Sequence, residues 1–149
     1  MSEPLSRLMY SSRLLSDDME AGVQADRIAR CSAARNAAHG ITGVLVFVDN
    51  TFIQVLEGPR DEVEATFERI CSDLRHSDVR LIDVADTDAP LFPEWHMACL
   101  GGEEDQRIAL QNELHELRFM TGVNARQAMM QMRELLDRER TRTPQRAAA

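Results

Sequence analysis

Residues 40–59, GITGVLVFVDNTFIQVLEGP, decide how this chain folds. Two runs rich in β-branched and aromatic residues, 44–48 and 51–56, flank Asp49-Asn50, the pattern of two antiparallel strands joined by a short turn. Strand side chains alternate between faces, so Phe52, Gln54 and Leu56 share one face of the second strand. Gln54 therefore stands where an apolar core residue is expected. A carboxamide buried there without partners would cost about 1–3 kcal/mol, so it needs one, in the protein or in a ligand.

Upstream, residues 5–11 read as a first strand, with Leu8, Tyr10 and Ser12 to one side. Ser16, Asp17 and Asp18 supply N-cap candidates for a helix over about 23–39, stopped by Gly40. Downstream, a second helix starts near Pro59, carries Asp61 and Glu62 in its first turn and runs to about His76. Residues 79–85 read as a fourth strand, 86–93 as a proline-punctuated loop and 95–100 as a fifth strand. The order βαββαββ predicts an α+β, ferredoxin-like mixed sheet with both helices on one face.

After Gly101-Gly102 the spacing predicts two further helices, about 103–119 and 124–140, around a break at Thr121-Gly122. Leu110, Leu114 and Leu117 form one apolar stripe; Met129, Met132, Leu135 and Leu136 form another. Such stripes must pack on the sheet's free face or on another chain. Because methionine-rich faces adapt to partners, a homo-oligomer built through these helices is an expectation. The chain thus divides into a sheet domain, 1–102, and a helical extension, 103–149, with a disordered basic tail.

Composition narrows the function. A length of 149 residues suits one domain with a sizeable core, or a smaller domain with an appendage. No apolar run approaches a membrane span, and MSEPLSRLMY lacks the features of a secretory signal, so no membrane partner and a cytoplasmic address are expected. Three cysteines without a CxxC pair point to reduced thiols, with Cys31 and Cys71 at apolar helix positions, and to no metal site. A net charge of −8 argues against nucleic-acid binding. The chain has no lysine, which excludes a Walker A loop, a Schiff base and a pyridoxal site. The stretch RERTRTPQR, 138–146, reads as a solvated, frayed terminus.

The first helix carries mostly small residues at helical spacing: Ala25, Ile28, Ala29, Ser32, Ala33, Asn36 and Ala37. So shallow a stripe lets the backbone approach either the sheet or a flat object. The second helix has the stripe Val63, Phe67, Ile70, Cys71 and Leu74, beside a polar row of Arg69, Asp73 and His76. Arg69 and Asp73 also have the spacing of an ordinary surface ion pair. Taken singly, Tyr10 and Trp95 are core aromatics, Met97 is filler and Asn36 is a helix cap.

Together, five motifs in order give a sharper reading. LSRLMYSS, ARNAAHGITGVLVF, FIQVLEGP, RICSDLRH and FPEWHM, spread over about residues 5–100, resemble the BLUF family of blue-light receptors using FAD. The resemblance implies a ferredoxin-like sheet with a flavin between two helices, here FAD with FMN as the alternative, in a short stand-alone receptor that is not an enzyme. Tyr10 then matches the photoactive tyrosine, Gln54 the switching glutamine and Asn36 the asparagine on the polar edge of the ring. Trp95 and Met97, on one face of the last strand by period 2, match a pair whose positions differ between signalling states. Ile28 and Ile70 resemble the residues that sandwich the ring. Arg69, Asp73 and His76 match positions near the carbonyl edge and ribityl chain, and Ser12 matches a serine supporting the tryptophan or its surroundings. Arg35 departs from the small polar residue frequent in relatives, leaving open which side chain meets the far carbonyl or the phosphates.

The resemblance implies a light-driven electron and proton transfer from Tyr10 and a rearrangement of the Gln54 hydrogen bonds, read by an unidentified downstream protein or by a change of assembly. The sequence also admits two rival readings. One is an acylphosphatase-like hydrolase using Arg13 after the first strand, together with Asn36. The other is a relative without flavin that serves as an interaction module.

Overall fold

The computed structural model describes residues 4–14, 32–72 and 76–142. Strands β1 (Leu5–Leu14), β2 (Thr42–Val48), β3 (Thr51–Pro59), β4 (His76–Thr87) and β5 (Ala98–Leu100) form one sheet in the order β4-β1-β3-β2-β5. The β1–β3, β1–β4 and β2–β3 pairs are antiparallel, and β2–β5 is parallel. This is the α+β arrangement read from the element order.

Asp49 and Asn50 adopt φ of 50° and 59°, as a two-residue turn with the twist of the flanking strands requires. His115 and Arg118, from helix α4 (Gln111–Thr121), both reach the Asp49 carboxylate at 3.0 Å. The turn that sets the β2–β3 register is thereby tied to the C-terminal helices.

The sheet carries a different core on each face. On the first face Leu8, Tyr10, Leu45, Phe47, Phe52 and Leu56 lie beneath helix α1, described over residues 32–39, and helix α2 (Arg60–Cys71), which contribute Ala33, Val63, Phe67 and Ile70. On the second face Met9, Val44, Val46, Ile53 and Val55 meet α4 and helix α5 (Ala125–Arg142), through Leu114, Leu117, Met129, Met132 and Leu135. The alternation of faces along β2 and β3 is the one the sequence pattern predicts. The C-terminal stripes cover the sheet's free face within the chain.

Several boundaries differ from expectation. Antiparallel pairing with the ten-residue β1 extends β4 to twelve residues, so His76 opens a strand opposite Leu14 instead of closing a helix. The same extension places Arg13 inside β1, exposed, where the hydrolase reading had put it after the strand. The helix expected over 103–119 breaks at Leu110 (φ −107°, ψ 19°), giving helix α3 (Glu104–Ala109) and α4. Leu110 leaves helical geometry yet stays buried. Cys71 is exposed at the end of α2, while Cys31 and the helix start at 23–31 lie outside the described residues.

Candidate functional site

Register builds the centre of the site. Tyr10 on β1 and Gln54 on β3 are directly opposite across the β1–β3 ladder, and opposite residues of antiparallel strands point to the same face at close range. The Tyr10 hydroxyl donates to Gln54 Oε1, and Gln54 Nε2 donates to Met97 Sδ at 3.2 Å. Both Tyr10 and Gln54 are almost wholly buried, at 1% and 4% exposure. The Tyr10 ring meets Phe67 of α2 at a centroid distance of 5.5 Å, which fixes the phenol in its slot. On its other side β1 faces irregular stretches of β4, where the pairing shifts between Met9 and Tyr10 and again between Ser11 and Arg13. Such bulges re-aim nearby side chains.

Asn36 is positioned by the end of α1. Gly40 takes φ 71°, and Ile41 N bonds back to Asn36 O at 2.9 Å, a helix-terminating turn that glycine permits. The backbone of Asn36 thus does the capping, while its side chain, 2% exposed, donates through Nδ2 to His96 O at 2.7 Å. His96 Nδ1 lies 3.0 Å from Ile41 O, and Gly43 N donates to Trp95 O at 2.9 Å. These bonds tie the segment before β5 to the start of β2 and to α1.

That segment corrects one expectation. β5 begins only at Ala98, so Trp95 and Met97 precede the strand, and alternation does not govern them. Met97 is buried with the Gln54 face, whereas Trp95 packs with the core on the opposite face. There Arg133 and Arg140 of α5 stand 5.1 and 5.5 Å from the centre of its ring, and Glu94 pairs with both arginines, at 2.6 and 3.6 Å. Cation–π contacts of this kind contribute about 0.5–2 kcal/mol each.

The remaining predicted residues divide. Ile70 packs against the Tyr10 cluster, and Ser12 is buried on β1. Arg35 and Arg69 are exposed, and Arg69 Nη2 reaches Thr66 Oγ1 at 3.1 Å. Ile28 and Asp73 lie outside the described residues, as does the His76 side chain. His96 and Arg133 were missed: one acts through its backbone carbonyl, the other from 38 positions beyond the tryptophan it covers, and neither leaves a local sequence signal.

The chemistry of this donor set fits a flavin. Gln54 and Asn36 carry buried amides and Tyr10 a buried phenol on an apolar cluster beneath two helices, and an amide offers a donor and an acceptor side by side to a ring edge that has both. One N–H of the Gln54 amide goes to a thioether, a weak acceptor that a carbonyl or ring nitrogen can replace. Asn36 directs its Nδ2 to His96 O.

The fold and the site together define an α+β sheet module with a buried phenol–amide chain beneath two helices. Residues 5–98 match the family described as "BLUF: Sensors of blue-light using FAD", and the chain belongs to that family. Over 69 residues it is 42% identical to photoactivated adenylate cyclase subunit beta of Euglena gracilis, a match covering 46% of this chain and 8% of that protein. Over 75 residues it is 32% identical to the blue light- and temperature-regulated antirepressor BluF of Escherichia coli (strain K12), covering 50% of this chain and 18% of that protein. The chain therefore spans a small part of the length of these relatives. Among solved structures, the dark state of BlrB, a BLUF protein, superposes with a TM-score of 0.73 at 28% identity, over 90% of this chain and 98% of that one. The photo-activated state of BlsA gives 0.62 at 29% identity, over 72% and 77%. The likeness to BlrB extends beyond the family segment, so it takes in C-terminal helices as well as the sheet.

Proposed function

We propose that this chain is a blue-light photoreceptor that holds FAD without a covalent bond, in the slot between α1 and α2 on the Tyr10 face of the sheet. The observation that carries this reading is the buried chain Tyr10–Gln54–Met97, a phenol and an amide bonded in series at the floor of that slot. Gln54 and Asn36 are the residues that hold the polar edge of the ring, with Ile70 against its face. Ile28, Arg35, Arg69, Asp73, His76 and Ser12 stand as further contacts or supports.

A bound flavin supplies one-electron oxidising power when it absorbs blue light. Tyr10 would donate that electron, and its hydroxyl proton moves onto Gln54 Oε1 as Gln54 Nε2 gives one up on the amide's other side, so the side chain stays neutral. Gln54 responds by exchanging its donor and acceptor ends, through rotation or tautomerisation, which remakes its bonds to Tyr10 and Met97. Each such bond is worth about 0.5–1.5 kcal/mol net, enough to reweight two arrangements of the segment before β5. The sensing unit is residues 1–102; residues 103–149 carry the output to a downstream protein or to a change of homo-oligomeric assembly, in the cytoplasm and without catalysis by this chain.

The test is to purify the protein in the dark, release its cofactor and identify it by chromatography, and illuminate the holoprotein. FAD as the released compound and a red shift that reverses in the dark support the proposal. A colourless protein, or bleaching without reversal, contradicts it.

A further inference from the structure

Glu57 breaks the alternation of β3 on the face opposite Gln54. It follows Ile53 and Val55, both buried on the second face, yet it is a carboxylate at 1% exposure. A charge so placed needs full compensation, and here it is complete. Oε2 accepts from Arg7 Nε at 2.7 Å and from Leu91 N at 2.8 Å, and Oε1 accepts from Phe92 N at 2.7 Å. Arg7, on β1, donates in turn to Ala89 O at 3.0 Å. Neither Glu57 nor Arg7 belongs to the Tyr10 face.

Two consecutive amides on one carboxylate fix the direction of a chain as well as its place, because both N–H groups must converge on it. The chain held in this way is the one that leads to Trp95 and Met97. Five residues beyond Phe92, the Met97 sulfur reaches Gln54 Nε2. Gln54 and Glu57 stand three residues apart on one strand, so their separation is set at roughly 10 Å by strand geometry. One strand therefore grips the same loop twice, from opposite faces of the sheet.

We propose that Glu57, with Arg7, is a positioning residue for the Gln54 switch: by anchoring the Leu91 and Phe92 amides it sets how far the loop extends, and so delivers Met97 to Gln54 and Trp95 to the opposite face. This rests on the photoreceptor reading for its consequence, and on geometry alone for its cause. Glu57→Gln removes the charge and turns an NH2 group toward groups that are themselves donors, so the anchor loosens without loss of volume.

The experiment uses the flavin-loaded full chain. Trp95 is its only tryptophan, so emission in the dark reports the position of this loop independently of any photochemistry. Glu57→Gln is expected to shift that emission to the red, to raise its quenching by acrylamide, and to change the rate of return from the lit state about fivefold or more, as a bias of about 1 kcal/mol would. Leu117→Ala, a core truncation in α4 within the cluster that Trp95 borders, serves as the comparison for lost stability and is expected to change emission and return rate by less than half as much as Glu57→Gln at equal loss of Tm. If Glu57→Gln does not fold, Glu57→Asp, which keeps the charge but shortens the reach, is expected to give smaller changes in the same directions. Wild-type emission and return rate in the Glu57 variant that folds overturn the proposal, as does a change half as large or more in Leu117→Ala at equal loss of Tm. If the wild-type chain shows no light response, the photoreceptor reading fails, while the dark emission still decides whether Glu57 positions the loop.

Discussion

Gln54 is held at both ends of its amide, by the Tyr10 hydroxyl on the carbonyl side and by Met97 sulfur on the amino side. Tyr10→Phe removes the donor and leaves a buried acceptor unmet, which costs about 1–3 kcal/mol. The variant is expected to fold and to keep its flavin, with a lower denaturant midpoint and without the normal light response, as urea titration and difference spectroscopy will read. Met97→Leu conserves volume, so its stability is expected to change by less than about 1.5 kcal/mol. It takes away the acceptor of the Gln54 N–H, and the expected effect is an altered lifetime of the lit state in flash photolysis. The position of Gln54 was legible in the sequence because a polar side chain among Phe52 and Leu56 violates a period-2 pattern. Glu57 violates the same pattern on the other face and carried the same signal. Trp95 and Met97 were legible as residues but not in their geometry: period 2 applies only within a strand, and they lie before one.

Short elements depend on junctions that propensity does not describe. β5 has three residues and is followed by Gly101, at φ 88°, whose absent Cβ would lie 2.2 Å from the Phe47 carbonyl oxygen. Gly101→Ala therefore meets both a left-handed backbone and a backbone atom that cannot withdraw. The expected cost is about 1–3 kcal/mol from the backbone conformation alone, visible as a lower Tm in circular dichroism. The hairpin was readable because its alternation, its turn residues and its β-branched content agree. The break at Leu110 was not readable, since Leu110, Leu114 and Leu117 fit one helical stripe and the kink arises from how that stripe meets the sheet. His76 was misplaced for a related reason: β4 owes its first residues to pairing with β1, and their own composition does not announce a strand.

Two cores share one sheet. The face beneath α1 and α2 holds Tyr10 and Gln54, and the face opposite packs against α4 and α5, with Trp95, Arg133 and Arg140 at that contact. A version ending at residue 102 exposes Met9, Val44, Val46, Ile53 and Val55, a contiguous apolar sheet face. It is expected to self-associate, as size-exclusion chromatography with light scattering will show; a monomer as stable as the full chain would mean that the helices contribute nothing to the fold. The apolar stripes of these helices were legible in the sequence, and the choice between the sheet and a second chain was not, because an amphipathic face does not name its partner. Gln54 is the proposed switch. Its most direct test is the light-minus-dark absorption spectrum of Gln54→Leu beside that of the wild-type holoprotein. A reversible red shift in the wild type that is absent from a flavin-loaded Gln54→Leu is the predicted result, and an unaltered shift in the variant contradicts it.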